Sequence, residues 1–470
     1  MTLERLTTEE RLMLDASHRW PQDIGALAVL DGRELFDDHG RFRLAVAREA
    51  FASRLHLVPR FRKIVRIPRR GRGGPFWTDA RVFDIADHVR ELPLEPPAGE
   101  AELLRAVEAL RAGRLDPGRP LWSVWFITGL PERRVAMYVR IHHAIADGIA
   151  AMTIVSAFMD RTPDVMAGVM PGGASGWTPV APPSQADLVA DTARRWLRTL
   201  AVVAAAVLRP SVVVRGIAAA WPATRELLAE PPGDETSIDR LVGEGRNLAI
   251  VRFEYGTVRR IGRALGASVN DVLLAASAAG LRRLLVSRGE PVEGVTVRTY
   301  VPVSLRRSIR GALQGSEIGQ MAVPLSLSHL TPVERLRRIA SETRRRKARP
   351  RPRLGMLFRG RLLTSLLLKL VLAQRVNVTT ACIPGPARRC YLAGAPVLEV
   401  FPILPLIGNQ PLGIGAVSYA GTLCIGITAD RGVLPDIDAL VRGVRAELGA
   451  LAAASEATRP RARRITSPVT

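Results

Sequence analysis

The chain has 470 residues, 47% hydrophobic and only 5% aromatic, enough for two large domains with cores built from Ala, Val, Leu and Ile. Its formal charge is +23, from 67 Lys+Arg against 44 Asp+Glu, and lysine occurs only at Lys63, Lys347 and Lys369. An arginine excess of this size favours anionic partners such as cofactor phosphates or anionic lipid. Three cysteines, Cys382, Cys390 and Cys424, lack paired CxxC spacing and give neither a disulfide framework nor a zinc site. The N-terminus has no apolar stretch behind a basic region, so no secretory signal is read and a cytoplasmic protein is expected.

A short apolar strand is predicted over Ile24–Leu30, followed by a helix from Arg41 to about Leu55. Pro59–Val65 reads as a basic strand that runs into the glycine-rich turn Arg70–Gly74. No GK[ST] follows those glycines, so they form a hairpin turn and not a phosphate loop. A helix over Glu100–Ala112 is marked by Leu103, Leu104, Val107 and Leu110, and the turn-rich Leu115–Trp122 ends in a strand.

The informative stretch comes next. Val135–Ile141 alternates with a period of two, placing Val135, Met137, Val139, Ile141 and His143 on one face and Ala136, Tyr138, Arg140 and His142 on the other. Beyond Gly148 the spacing Ile149, Met152, Val155, Met159 is helical. Two adjacent histidines therefore stand where a strand ends, and they point to opposite faces. His143 continues the apolar row, where a neutral imidazole can act as a base. Asp147 is placed to cap the helix or to pair with an arginine.

From Thr162 to Gln185 the composition turns to Pro, Gly and Ser, as in a linker. Ala186–Leu208 is helical in pattern and carries Arg194, Arg195 and Arg198; its apolar part is too short to span a bilayer. It suits either a membrane surface or, more ordinarily, packing between domains. In the second half a strand near Ala249–Phe253 and a helix around Val258–Leu265 lead to Ser268-Val269-Asn270-Asp271, a capping-box pattern. Thr296–Val303 alternates as a strand and ends in Pro302-Val303-Ser304-Leu305-Arg306. Ser341–Arg353 is a dense basic run, and Arg361–Gln374 a strongly apolar helix. Pro384-Gly385-Pro386 makes a tight turn, Ala416–Leu423 a hairpin and Ile437–Ala454 the closing helix. The basic tail beyond Arg459 is expected to be disordered.

His142-His143-x-x-x-Asp147-Gly148, taken in order with Pro120-Leu121-Trp122, Asn270-Asp271, Pro302–Arg306, Pro384-Gly385-Pro386 and Ser418-Tyr419, resembles the bacterial wax ester synthase / diacylglycerol O-acyltransferase family. These are HHxxxDG acyltransferases of the chloramphenicol-acetyltransferase-like superfamily. The resemblance covers about Leu14 to Ala452. Two positions depart from the family's pattern: Gly315-Ser316 where Gly-Asn is usual, and Cys382 in place of an asparagine.

The resemblance implies an α/β fold of two chloramphenicol-acetyltransferase-like domains, each a mixed sheet with packed helices, meeting at a central channel. The expected division is 1–165 with HHxxxDG, 166–235 as linker and crossover helices, 236–455 as the second acyltransferase domain and 456–470 as the tail. His143 is implied as general base, His142 and Gly148 shape the turn, and Asp147 pins it, with Arg306 one candidate partner. Asn270 and Asp271 are implied as accessory residues. The expected reaction moves a long-chain acyl group from acyl-CoA, a co-substrate, to diacylglycerol or a fatty alcohol, with no permanently bound cofactor. Peripheral association with a membrane or lipid droplet is expected from the charge and the basic apolar helices Ala186–Leu208 and Arg361–Gln374. A rival reading keeps the chemistry but takes a carrier-protein thioester or a secondary-metabolite hydroxyl. A non-enzymatic basic protein would leave HHxxxDG unused, and no nucleic-acid motif is present.

Overall fold

The structure, a computed structural model, describes residues 3–69, 72–163, 177–208, 211, 233–304, 318–348 and 376–457. In the first half α1 (Thr8–Ser17) precedes β1 (Asp23–Asp31), α2 (Leu44–Ala52), the hairpin β2 (Lys63–Arg66) and β3 (Phe76–Asp79), and β4 (Val89–Pro93). Then come α3 (Glu100–Ala112), β5 (Trp122–Thr128), β6 (Arg134–His142), α4 (Gly148–Ala157) and α5 (Gln185–Leu208). The second half runs β7 (Arg246–Glu254), α6 (Tyr255–Leu265), α7 (Val269–Ser287), β8 (Thr296–Ser304), β9 (Ile318–Ser326) and α8 (Pro332–Lys347). It closes with β10 (Val376–Pro384), β11 (Tyr391–Leu392), β12 (Ala395–Ile403), β13 (Leu412–Tyr419), β14 (Thr422–Asp430) and α9 (Ile437–Ala457).

The strands form two six-stranded mixed sheets, ordered β11-β12-β1-β6-β5-β4 and β7-β14-β13-β10-β8-β9. In the first, β4 and β5 run parallel and β6 is antiparallel to β1 and β5. In the second, β10 lies parallel to β8 and β13. The two faces of β6 serve two cores. Val135, Met137, Val139 and Ile141 join the core under α2 and α4, and Ala136 and Tyr138 pack on the other side with Leu103 and Val107 of α3. Arg140 lies on that second face, where a buried ion pair to Asp23 (2.5 Å) and bonds to the carbonyls of Leu110 and Gly113 hold its two terminal nitrogens. The second half is organised around α7, whose residues from Asp271 to Leu285 are almost all buried because it lies between the sheet, α8 and α9.

One strand ties the halves together. β12 follows β10 in the chain, yet it leaves the second sheet and pairs antiparallel with β1 across Gly25↔Ile403 to Leu30↔Val397. Its Pro402 lies on the second sheet at two positions without side chains. A Cβ on Gly415 would stand 2.8 Å from Pro402 Cγ, and a Cβ on Gly426 would run into the Pro402 carbonyl. Glycine permits this approach of two backbones. Polar contacts support the seam: Glu108 of α3 accepts from the Leu248 amide (2.7 Å) and pairs with Arg431 (2.8 Å), and Arg252 pairs with Glu100 and Glu399.

Several local expectations change. The helix expected from Arg41 to Leu55 covers only Leu44–Ala52, because Phe42 bridges back to Phe36 and a 3-10 turn occupies Leu55–Leu57. Pro59–Arg62 is a 3-10 turn opened by its proline, and the strand begins at Lys63. β2 and β3 pair antiparallel as the expected hairpin requires, while Arg70 and Gly71 of its turn lie outside the described residues. The helix α5 does not pack between domains: every described side chain from Ala193 to Leu208 is exposed. Arg361–Gln374, Arg306, Gly315-Ser316 and the tail beyond Arg459 lie outside the described residues.

Two glycines test the seam against an ordinary helix site. Gly426→Ala is expected to cost about 3 kcal/mol through overpacking against Pro402. Gly449→Ala, exposed inside α9 with open space around its Cα, should stabilise by about 0.5–1 kcal/mol. Urea unfolding of the two variants measures both.

Candidate active site

The ladder between β1 and β6 pairs Asp23 with His142, and the His143 amide extends it by one bond, donating to the Gln22 carbonyl at 2.8 Å. The chain then turns sharply through Ala144-Ile145-Ala146 into α4. Those three side chains are buried in a core that also contains Val417 and Tyr419 of β13. The turn is thus wedged against the second sheet. A Cβ on Gly148 would lie 3.1 Å from Ile383 Cδ1 at the end of β10, so a larger residue there would make the Ile383 side chain shift.

The two histidines have opposite surroundings. His142 is buried, and its Nδ1 accepts a hydrogen bond from the Ala144 amide at 3.0 Å. Its Nε2 lies 2.7 Å from Ser17 Oγ, and that hydroxyl donates to the Met13 carbonyl at 2.9 Å. With the serine proton committed, the network assigns the ring hydrogen to Nε2 and leaves Nδ1 as an acceptor. Protonating Nδ1 would set a cationic N–H against an amide N–H. Burial is the main cause that lowers His142 to about 4, with Asp23 opposing it and His143 adding to it. His142 is therefore a neutral brace for the turn.

His143 keeps part of its surface exposed. Burial pulls its imidazole below the ordinary value, opposed by a hydrogen bond to its own backbone and by the Asp147 carboxylate. The strand ends at His142, so His143 leaves the apolar row predicted for it and sits on the turn. Asp147 is buried and is the N-cap of α4, its Oδ1 accepting from the Ala150 amide at 2.8 Å.

Asn270 and Asp271 lie elsewhere. Asp271 closes the capping box with Ser268 and accepts from Thr343 Oγ1 at 2.7 Å, which pins the start of α7 to α8. Asn270 is partly exposed on the same first turn. No hydrogen bond or ion pair joins either to the histidine turn among the described residues. Cys382 packs against the core beneath α7, and burial pushes its thiol up to about 11. This departure therefore lies behind the second sheet, while its neighbour Ile383 faces Gly148. Ser17, Gln22 and Ile383 carried no local signal in the sequence, because each meets the turn from far along the chain.

The sequence matches the model for the wax ester synthase/diacylglycerol acyltransferase catalytic domain over residues 9–273 and that for the WS/DGAT C-terminal domain over 314–452. The chain belongs to this family. It is an acyltransferase. A probable diacylglycerol O-acyltransferase of Mycobacterium tuberculosis is 30% identical over 449 residues, covering 92% of each chain. The wax ester synthase/diacylglycerol acyltransferase of Marinobacter aquaeolei VT8 superposes with a TM-score of 0.66 at 22% identity, covering 97% of this chain and 100% of that one. The first condensation domain of the calcium-dependent antibiotic synthetase gives 0.61 at 19% identity over 98% and 97%. The acyltransferase thus shares the two-domain fold of both groups.

Two outcomes follow from the brace and the cap. Between about 4 and the ordinary 6.5 the unfolded chain takes up a proton at residue 142 that the folded enzyme does not. Stability should be full above 6.5 and fall as the pH drops toward 4, by about 3 kcal/mol for this group. His142→Gln should flatten that slope in unfolding measured across the range. Asp147→Ala should lower stability by about 1 kcal/mol and reduce turnover, because the cap that shapes the turn is lost.

Proposed function

We propose that this acyltransferase moves a long-chain acyl group from acyl-CoA to the hydroxyl of diacylglycerol or a fatty alcohol, with His143 as general base. The observation that carries the reading is the pairing of two imidazoles with separate tasks. One is locked as a brace, and the other is partly exposed at the seam between the sheets. The neutral His143 imidazole removes the acceptor's hydroxyl proton as the oxygen attacks the thioester carbon. The tetrahedral intermediate collapses with cleavage of the carbon–sulfur bond, and the imidazolium returns its proton to the leaving thiolate. The products are an ester and free CoA, and no acyl-enzyme forms. Burial near the seam suits this chemistry because it keeps the base neutral and limits competition from water.

Such acceptors dissolve in lipid. The same reading therefore places the enzyme at the surface of a membrane or lipid droplet. Among the described residues no single helix is long and apolar enough to cross a bilayer.

His143→Ala is expected to lower ester formation by about 10²–10⁴-fold while leaving the melting temperature unchanged. Near-normal turnover in a folded variant would remove His143 from the base role. Because burial lowers the imidazole, the acid limb of kcat/KM should lie below the ordinary histidine range. A matrix of acyl-CoA lengths against hydroxyl acceptors, with a carrier-protein thioester as a further donor, identifies the substrate pair.

A further inference from the structure

Among the described residues, the helix α5 makes its contacts with the rest of the protein near its start. Leu188 is buried, Asp191 pairs with Arg5 at 2.9 Å, and Gln185 accepts from Arg72. On a helix of 3.6 residues per turn, Val189, Trp196, Leu197, Leu200 and Leu208 fall on the side opposite Leu188 and Asp191. These five apolar side chains are 53–80% exposed and so form a stripe turned away from the body. Arg194, Arg195 and Arg198 lie toward the Asp191 side of the same helix, and Arg195 pairs with Asp191 at 3.2 Å. An unpartnered stripe of this kind is costly in water and marks an interaction surface.

Next to the first turn of α5 is a groove of about 600 Å³, bounded by the β2–β3 hairpin and by Gln185 and Leu188. Arg66, Arg69 and Arg81 line it and make no ion pair among the described residues. Asp79 is the single acidic residue in the lining, and it already accepts from the Val180 amide at 3.0 Å. Ile67, 71% exposed, projects beside these arginines. The groove meets α5 at Gln185 and Leu188, so the basic lining adjoins the start of the helix that carries the stripe.

We propose that α5 and the β2–β3 hairpin together form the docking surface for an anionic phospholipid bilayer. The stripe enters the boundary between headgroups and acyl chains, and Arg66, Arg69 and Arg81 bind the headgroup phosphates. Charge decides the occupant: the hairpin guanidinium groups surround Ile67 beside the helix that carries the stripe, a pattern that complements phosphates set above a hydrocarbon layer. This deepens the proposed action on a lipid-soluble acceptor, and it rests on that reading only for its purpose.

Flotation of the full chain with phosphatidylcholine vesicles, with and without phosphatidylglycerol, tests the surface. The native protein should float with the anionic vesicles, and added salt should weaken the binding. Trp196→Ser with Leu200→Ser should reduce partitioning about tenfold. Arg66→Glu, Arg69→Glu and Arg81→Glu together should reduce it about a hundredfold and abolish the preference for phosphatidylglycerol, each arginine being worth about fivefold. Native protein that stays in solution with both vesicles, or variants that float as well as the native chain, would overturn the proposal. So would a dimer in sedimentation that Trp196→Ser dissociates, because a second copy would then cover the stripe. Acyl transfer in solution to a short-chain, water-soluble alcohol should be unchanged in both sets of variants. That assay reports on His143 alone, so failure of the chemistry and failure of the docking surface give different results.

Discussion

The architecture depends on the close approach of β12 to the second sheet. A strand that belongs by sequence to the second half completes the sheet of the first, and Pro402 lies on Gly415 and Gly426 because neither has a side chain to keep it away. The two sheets are thereby held at one spacing. The other seam contacts, Glu108 with Leu248 and Arg431 and Arg252 with its two glutamates, depend on that spacing. So does the contact of Ile383 with the start of α4, which brings the end of β10 to the histidine turn.

At the turn, adjacent residues of the same chemistry are made different by position alone. The alternation of β6 sends the His142 ring toward Ser17 and the N-terminal helix, where two hydrogen bonds settle which nitrogen holds its proton. The backbone leaves the ladder one residue later, so the next ring is presented at the seam. Neither task needs an unusual residue. Each needs the strand to give way to the turn there: the His143 amide makes the last ladder bond, to the Gln22 carbonyl, and the Asp147 cap then starts the helix.

Much of this was legible in the sequence where the signal was local. The alternation of Val135–Ile141, the capping box at Ser268 and Asp271 and the helix Glu100–Ala112 needed only residues within one or two turns of each other, and all three were found in place. The family's motifs identified the turn. What escaped was set by partners distant in the chain: Ser17 for His142, Ile383 for Gly148 and the strand exchange of β12. The helix α5 was misplaced for a related reason. Its apolar spacing is that of a packed helix, and the spacing cannot say which side faces the protein; only the contacts of Leu188 and Asp191 reveal that.

The strand exchange also constrains how the polypeptide can fold during synthesis. β1 spans residues 23–31, but the neighbour that completes its sheet ends at Ile403, so the edge between them stays open until most of the chain has been made. Both sheets therefore mature late, through contacts of very long sequence separation, which are slow to form. Until then the first half presents an unpaired β1 edge backed by Leu27 and Leu30, the kind of surface through which partly made chains aggregate. A nascent chain of this design relies on shielding of that edge for nearly the whole of its translation.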